Sequence, residues 1–217
     1  MGFQMLPSST NFPYSGYSCM KEMWNERYSV SDYVYGKHPN AFFREQLDLL
    51  DPGTILLPGE GEGRNAVYAA MNQWKVDAFD FSKSGYEKAT RLAEEMGVAI
   101  EYKLSTYNDY TYMPSAYNAC GLIFCHLPDH ARSAFHEKVI QSLAPGGVLI
   151  LEAFHSSQLG RDTGGPQNPE FLFNEQKLRS DFRTLDLTLC EEIVFPLYEG
   201  LYHTGEAHII RCVGVKQ

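Results

Sequence analysis

A chain of 217 residues with 44% apolar and 13% aromatic content can bury a substantial core in one α/β domain, and no window approaches the roughly 18 uninterrupted apolar residues of a membrane span. Its 27 acidic against 18 basic residues, a formal charge of −9, weigh against a nucleic-acid partner, which needs a dense lysine and arginine surface. Five cysteines with no C-x-x-C pair, mostly inside apolar runs, read as reduced thiols and fit the cytoplasm; no membrane partner is expected, and oligomeric state is left open.

Residues 1–19 are rich in Ser, Pro, Gly and Tyr without a period, and read as an arm ahead of a single domain over residues 20–217. Met20, Met23, Trp24 and Arg27 then share one side of a helix running to Tyr28. Tyr33, Tyr35, Gly36, Pro39 and Asn40 make an aromatic turn, and Phe42, Phe43, Leu47 and Leu50 mark a second amphipathic helix that Asp51-Pro52-Gly53 stops.

A strand–helix alternation follows. Thr54 to Leu57 is the first strand, and Arg64 to Gln73 its helix, with Ala66, Val67, Ala70 and Met71 toward the sheet. Val76 to Phe79 is the second strand; Ser82 caps a helix running to Met96, with Gly97 in the left-handed C-cap position. Ile100 to Leu104 and Gly121 to Cys125 are further strands, Pro128 to Leu143 a helix closed by Pro145-Gly146-Gly147, and Val148 to Ala153 a fifth strand. After a loop rich in Gly and Pro comes a helix from about Asn174 to Arg183. Two β-rich runs close the chain, Leu187 to Phe195 and Glu206 to Val215, and with only Leu197 to Gly205 between them there is no room for a crossover, so they pair as an antiparallel hairpin. The fold class is therefore α/β, a Rossmann-like doubly wound sheet whose ligands lie beyond the carboxyl ends of its strands.

The ligand is announced by Ile55-Leu-Leu-Pro-Gly59-Glu60-Gly61-Glu62-Gly63-Arg64-Asn65-Ala66, a strand that breaks into three alternate glycines and passes into a helix. Glycines there allow positive φ and close approach of a ligand to backbone. A pyrophosphate beside Glu60 and Glu62 meets like charge, whereas a sulfonium meets opposite charge, which favours S-adenosylmethionine over a dinucleotide. Asp80, at the end of the second strand, is placed to accept hydrogen bonds from ribose hydroxyls or to serve as an acid at the start of the following helix. Gly61-x-Gly63-x-x-Ala66 also matches the dinucleotide fingerprint, so a nicotinamide-dependent oxidoreductase is the alternative, and a non-catalytic S-adenosylmethionine-binding protein a third reading.

Trp24-Asn-Glu-Arg-Tyr28, Tyr35-Gly36, Pro39-Asn40, the Gly59 to Ala66 loop, Asp80, Phe124-Cys-His126-Leu-Pro128, Leu143-x-Pro-Gly-Gly147, Thr163-Gly-Gly-Pro166 and Tyr202-His-Thr-Gly205 together resemble the class I S-adenosylmethionine-dependent methyltransferases. Within them the chain is similar to the tellurite-resistance group related to thiopurine methyltransferases. The resemblance implies a seven-stranded sheet, mostly parallel with an antiparallel seventh strand and helices on both faces. It also implies methyl transfer from S-adenosylmethionine to a small-molecule nucleophile, a thiol or a chalcogen oxyanion such as tellurite. Carried over residue by residue, the cofactor would meet Trp24, Arg27, Tyr28, Gly59, Glu60, Gly61, Glu62, Gly63, Arg64, Asn65, Asp80, Phe81, Ser82, Ser105, Thr106, Phe124 and Cys125. Two positions depart from the pattern: Leu57 and Ser105 stand where many class I enzymes carry an acid, and Ser105, Thr106 or backbone must then serve the adenine.

His126 follows the fourth strand, where an imidazole can take a proton from the acceptor, line the pocket, or bond backbone; it is the candidate catalytic residue. Tyr35, His155, Tyr202 and His203 are candidates for the substrate mouth. Trp24, Tyr28 and Tyr35 can close over a sulfonium through their ring faces, or simply pack the first helix. Arg27 is a counter-ion for the methionyl carboxylate, unless it pairs with Glu22 or Glu26, and the first amides of the helix at Arg64 and Asn65 offer that carboxylate a second hold.

Overall fold

The computed structural model describes residues 17–217, with side chains from residue 20. The expected arm lies, over residues 1–16, outside the described residues. The first helix, α1 (Tyr17–Tyr28), starts three residues ahead of its expected start at Met20, and α2 (Ala41–Leu47) is opened by Asn40, whose side chain accepts from the Phe43 amide.

Seven strands form one sheet: β1 (Thr54–Pro58), β2 (Lys75–Asp80), β3 (Glu101–Leu104), β4 (Tyr117–Ile123), β5 (Leu143–Phe154), β6 (Leu185–Glu199) and β7 (His203–Lys216). Their order is β3-β2-β1-β4-β5-β7-β6, and β7 runs antiparallel to both its neighbours. Between them lie α3 (Arg64–Met71), α4 (Lys83–Met96), α5 (Asp129–Ser142) and α6 (Glu175–Asp181). The expected seven-stranded, mostly parallel sheet with an antiparallel last strand is the one observed.

Strand periodicity sorts the core to two faces. Leu56 packs with Phe79, Leu122, Leu151, Phe135 and Val139 on one side, while Ile55 and Leu57 pack with Phe43, Val76, Ala78 and Ile150 on the other. Because both faces are covered, β1 reads as an unbroken apolar run. Ser82 caps α4 by accepting from the Gly85 amide, and Gly97 ends it at φ 68°, as expected.

Several boundaries differ, each for a local reason. β4 begins at Tyr117, four residues before the expected Gly121, because the Tyr117 hydroxyl is fixed by Asp77 at 2.7 Å; it stops at Ile123 because Phe124 turns left-handed at φ 50°. β5 extends back through Pro145 and Gly146, where a bulge in its pairing with β4 absorbs the turn. β6 and β7 consume most of the expected Leu197 to Gly205 connection and leave only residues 200–202 to turn. In α3 Ala66 and Ala69 pack on the sheet with half-buried Ala70 beside them, while Val67 turns to Leu92 and Ala93 of α4 and Met71 is half exposed. Among the described residues no helix is long and apolar enough to cross a membrane.

Candidate functional site

The carboxyl ends of β1, β2, β4 and β5 converge under α1 and the β6–β7 turn. Gly59, Gly61 and Gly63 all take positive φ, at 64°, 60° and 88°. A Cβ on Gly63 would strike Ala89 of α4, so this glycine sets how closely two helices pack. Cβ atoms on Gly59 and Gly61 would stand 2.6 Å from the hydroxyls of Tyr107 and Tyr28, so two phenols lie against bare backbone. Tyr102 donates to the Gly61 carbonyl at 2.7 Å.

Three acids border this loop and have different fates. Glu62 is buried, pairs with Lys88 at 2.7 Å, and accepts from the amides of Val34 and Tyr35. It therefore locks the aromatic turn to the loop and does not face a ligand, a correction to the sequence reading. Glu60 turns back onto α3 and accepts from the amides of Asn65 and Ala66, both at 2.8 Å. Those amides are thus already engaged, which corrects the expectation that they hold a cofactor carboxylate. Burial still pushes Glu60 up to about 7. Asp80 accepts from the Ser82 amide at 2.7 Å and the Gly61 amide at 3.1 Å, and burial pushes it up to about 6. Neither Glu60 nor Asp80 has an ion-pair partner among the described residues, since Lys88 is taken by Glu62 and Arg64 by Glu199.

Arg64 also donates to the Tyr35 carbonyl, and the Asn65 side chain accepts from the Asn40 amide at 2.9 Å. Asn40 in turn donates to Glu152 at 2.6 Å and to Glu199 at 2.8 Å, and Glu152 pairs with Arg211. This polar lattice ties the 33–40 turn, α3, β5 and the terminal hairpin into one frame. At the hairpin, Leu201 donates to the Val34 carbonyl.

The aromatic residues gather as expected. Trp24, Tyr28 and Tyr35 are mutual neighbours, with ring centroids 5.2 to 6.4 Å apart, and Tyr202 lies 6.3 Å from Tyr35. The Arg27 guanidinium is stacked between Trp24 at 4.7 Å and Tyr202 at 4.6 Å and donates to the Tyr35 hydroxyl. Among the described residues it pairs with no carboxylate, Glu22 and Glu26 included.

Beyond β4, Phe124 contacts Phe154 and His203 at 4.7 and 4.4 Å between centroids. The Cys125 thiol lies 3.5 Å from the Tyr107 hydroxyl and is pushed up to about 12 by burial. His126 has both nitrogens committed to backbone: Nδ1–H donates to the Phe171 carbonyl at 2.8 Å and Nε2 accepts from the Phe154 amide at 3.4 Å. Burial holds it down at about 4, so the general-base reading of His126 gives way to the backbone-bonded one. Phe81 packs edge-on to Tyr107, and the Ser82 hydroxyl donates to Asn25 of α1. Ser105 donates its amide to the Asp80 carbonyl, while Thr106 donates to Asp109 at 2.6 Å.

His155 is not brought to the site. Strand alternation sends Phe154 inward and His155 to the other face, where it meets Glu192 at 2.7 Å. His203 is brought in: its Nδ1 lies 3.2 Å from Glu199, and its ring packs on Tyr35, Phe124 and Phe154. Sequence reasoning missed Tyr107, Phe154, Glu152 and Glu199. Only Glu199 carried a signal, as the acid just before the turn glycine Gly200.

Against known proteins, residues 55–147 match the family model described as a methyltransferase domain. No curated protein matches the chain. Among solved structures, TehB from Haemophilus influenzae superposes with a TM-score of 0.68 at 15% identity, covering 91% of this chain and 67% of that one. The 1,6-didemethyltoxoflavin-N1-methyltransferase of Burkholderia thailandensis, solved with S-adenosylhomocysteine, gives 0.69 at 16%, covering 96% and 93%. A structure solved for the conversion of a disulfide bond into a thioacetal group during echinomycin biosynthesis gives 0.71 at 14%, covering 92% of each chain. At these identities the superpositions speak for the fold, and the fold is that of the class I methyltransferases. With the domain match over residues 55–147, the chain is similar in fold and in its central segment to S-adenosylmethionine-dependent methyltransferases, whose methyl donor is S-adenosylmethionine.

The residues present fit that cofactor. Bare backbone at Gly59 and Gly61, two electron-rich phenols against it, and the carboxylates of half-buried Glu60 and buried Asp80, which have no ion-pair partner among the described residues, make a cradle suited to positive charge. A pyrophosphate would instead have to displace Glu60 from the α3 amides.

Proposed function

We propose that the methyl acceptor is a small nucleophile, a thiol or a chalcogen oxyanion, received between Phe124, Phe154, Tyr35, Tyr202 and the 163–166 loop. The observation that carries this reading is the Arg27 guanidinium, stacked on both faces by Trp24 and Tyr202 yet without a carboxylate partner among the described residues. Stacked in this way, a guanidinium keeps its edge donors for an anionic group. The acceptor side is supported by the hairpin position of Tyr202, two strands beyond β4, whereas Asp80, Ser105 and Thr106 lie toward β2 and β3.

In this reading the adenosine half lies against Asp80, Phe81, Ser105 and Thr106, with Asp109 supplying the acid that position 105 lacks. Gly59, Gly61, Tyr28 and Tyr107 line the sulfur end, and Glu60 and Asp80 supply negative charge. The cofactor brings an electrophilic methyl group on a sulfonium, so the protein's task is alignment and exclusion of water. Phe124, Phe154 and Tyr35 supply the apolar walls. His126, locked to backbone, shapes the pocket.

The test is a methyl-release assay over alkyl thiols, thiophenols, selenite and tellurite, read as S-adenosylhomocysteine formed. Turnover with at least one class, with KM raised tenfold or more by Arg27→Met, supports the reading. Cofactor binding without release from any member would favour a non-catalytic binding protein.

A further inference from the structure

Glu199 and His203 form a carboxylate–imidazole pair that the alignment chemistry above leaves unused. Glu199 is held from three directions, by Arg64 at 2.9 Å, Asn40 at 2.8 Å and His203 Nδ1 at 3.2 Å. A carboxylate fixed in this way accepts from Nδ1–H, which leaves the lone pair of a neutral imidazole on Nε2. Nε2 has no hydrogen-bond partner among the described residues, in contrast to His126. The ring is buried, and it stands against Phe124 at the end of β4, Phe154 at the end of β5, and the Gly164 backbone. Those are the walls assigned above to the acceptor.

We infer that His203 is the general base of the methyl transfer and Glu199 its positioning residue, so that the acceptor arrives protonated, as a thiol or another X–H nucleophile. The inference rests on the methyltransferase reading and narrows its acceptor class. As the acceptor's electron pair forms the bond to the methyl carbon, the bond to sulfur breaks and its pair stays on sulfur. The X–H proton passes to Nε2 and leaves the imidazolium for solvent. Every charged or titratable neighbour bears on this role. Glu199 from β6 favours the imidazolium, whereas Arg64 from α3, Arg27 from α1 and His126 after β4 oppose it, and Tyr35 packs on the ring. Burial with the two arginines holds His203 below the ordinary histidine range, so the ring is neutral and able to accept a proton at pH 7.

The deciding experiment is nitrogen NMR of the full chain labelled in histidine, with S-adenosylhomocysteine bound, between pH 6 and pH 8. The expected spectrum shows His203 protonated at Nδ1 and bare at Nε2, with that preference lost in Glu199→Gln. A ring protonated at Nε2 overturns the inference, and because this is read on the unaltered protein it does not depend on a variant folding. In kinetics at pH 7, His203→Gln is expected to lose roughly 10²- to 10⁴-fold in kcat with weakly acidic alkyl thiols and little with thiophenols already ionised. A loss equal across the series overturns the base role. Calorimetry separates the two levels of failure: no S-adenosylhomocysteine binding by the wild type fails the underlying reading, whereas normal binding with the wrong tautomer fails the dyad alone.

Discussion

Glu60 and Asp80 make a quantitative prediction, because a half-buried and a buried carboxylate stand without an ion-pair partner among the described residues. Burial raises Glu60 from 4.5 to about 7 and Asp80 from 3.8 to about 6. Carboxylates raised in this way favour the fold fully at pH values below their ordinary range, and that contribution is lost as pH climbs through 6 and 7. A sulfonium in the cradle reverses this by favouring the ionised forms, so binding must expel protons. From the two values, roughly one proton is released per cofactor at pH 6.5 and about a tenth of one at pH 8. Below pH 6 both groups must ionise on binding, and the apparent Kd rises roughly a hundredfold per pH unit. The assay is calorimetric titration in buffers of different ionisation enthalpy. S-adenosylmethionine should release more protons than S-adenosylhomocysteine, whose sulfur is neutral, and Glu60→Gln should remove most of the release near pH 7. Equal heats in all buffers at pH 6.5 would refute the charge argument.

Lys88 and Glu62 form a buried pair, with side chains 6% and 3% exposed, so Lys88→Met leaves an uncompensated carboxylate and should cost about 3–5 kcal/mol in urea unfolding. Gly61→Ala forces a side chain into positive φ and against the Tyr28 hydroxyl; it should cost about 1–2 kcal/mol in stability and weaken S-adenosylhomocysteine binding more than tenfold by calorimetry. Burial pushes Glu199 up, but His203 and Arg64 outweigh it and hold the carboxyl at about 2. Its stabilisation is therefore present above pH 4.5 and lost as pH falls toward 2, on the order of 3 kcal/mol, and Glu199→Gln should flatten that part of the acid-unfolding curve.

The alternation of strands and helices was legible because each element carries a local cause: two-residue periodicity buried on both faces in β1, and the Ser82 and Gly97 caps of α4. The left-handed backbone of the glycine loop was legible because positive φ at Gly59 and Gly61 is a requirement that glycine meets. Side-chain direction was not. Glu60 and Glu62 are two residues apart, yet one caps α3 and the other meets Lys88, an outcome set by partners 5 and 26 positions away. His126 looked catalytic from its place after β4, but the Phe171 carbonyl that claims it arrives from a loop 45 residues downstream. His203 was legible as a candidate for the substrate mouth but its burial was not, because the connection was expected to run from Leu197 to Gly205; pairing as far as Glu199 with His203 is what buries it. Such long-range partners leave no mark in local spacing.

The central claim, that the acid-bordered glycine loop holds a positively charged methyl donor, is tested most directly by titrating the chain in parallel with S-adenosylmethionine and NAD. Saturable binding of S-adenosylmethionine with no heat from NAD is the predicted result. Saturable binding of NAD with none of S-adenosylmethionine would contradict it.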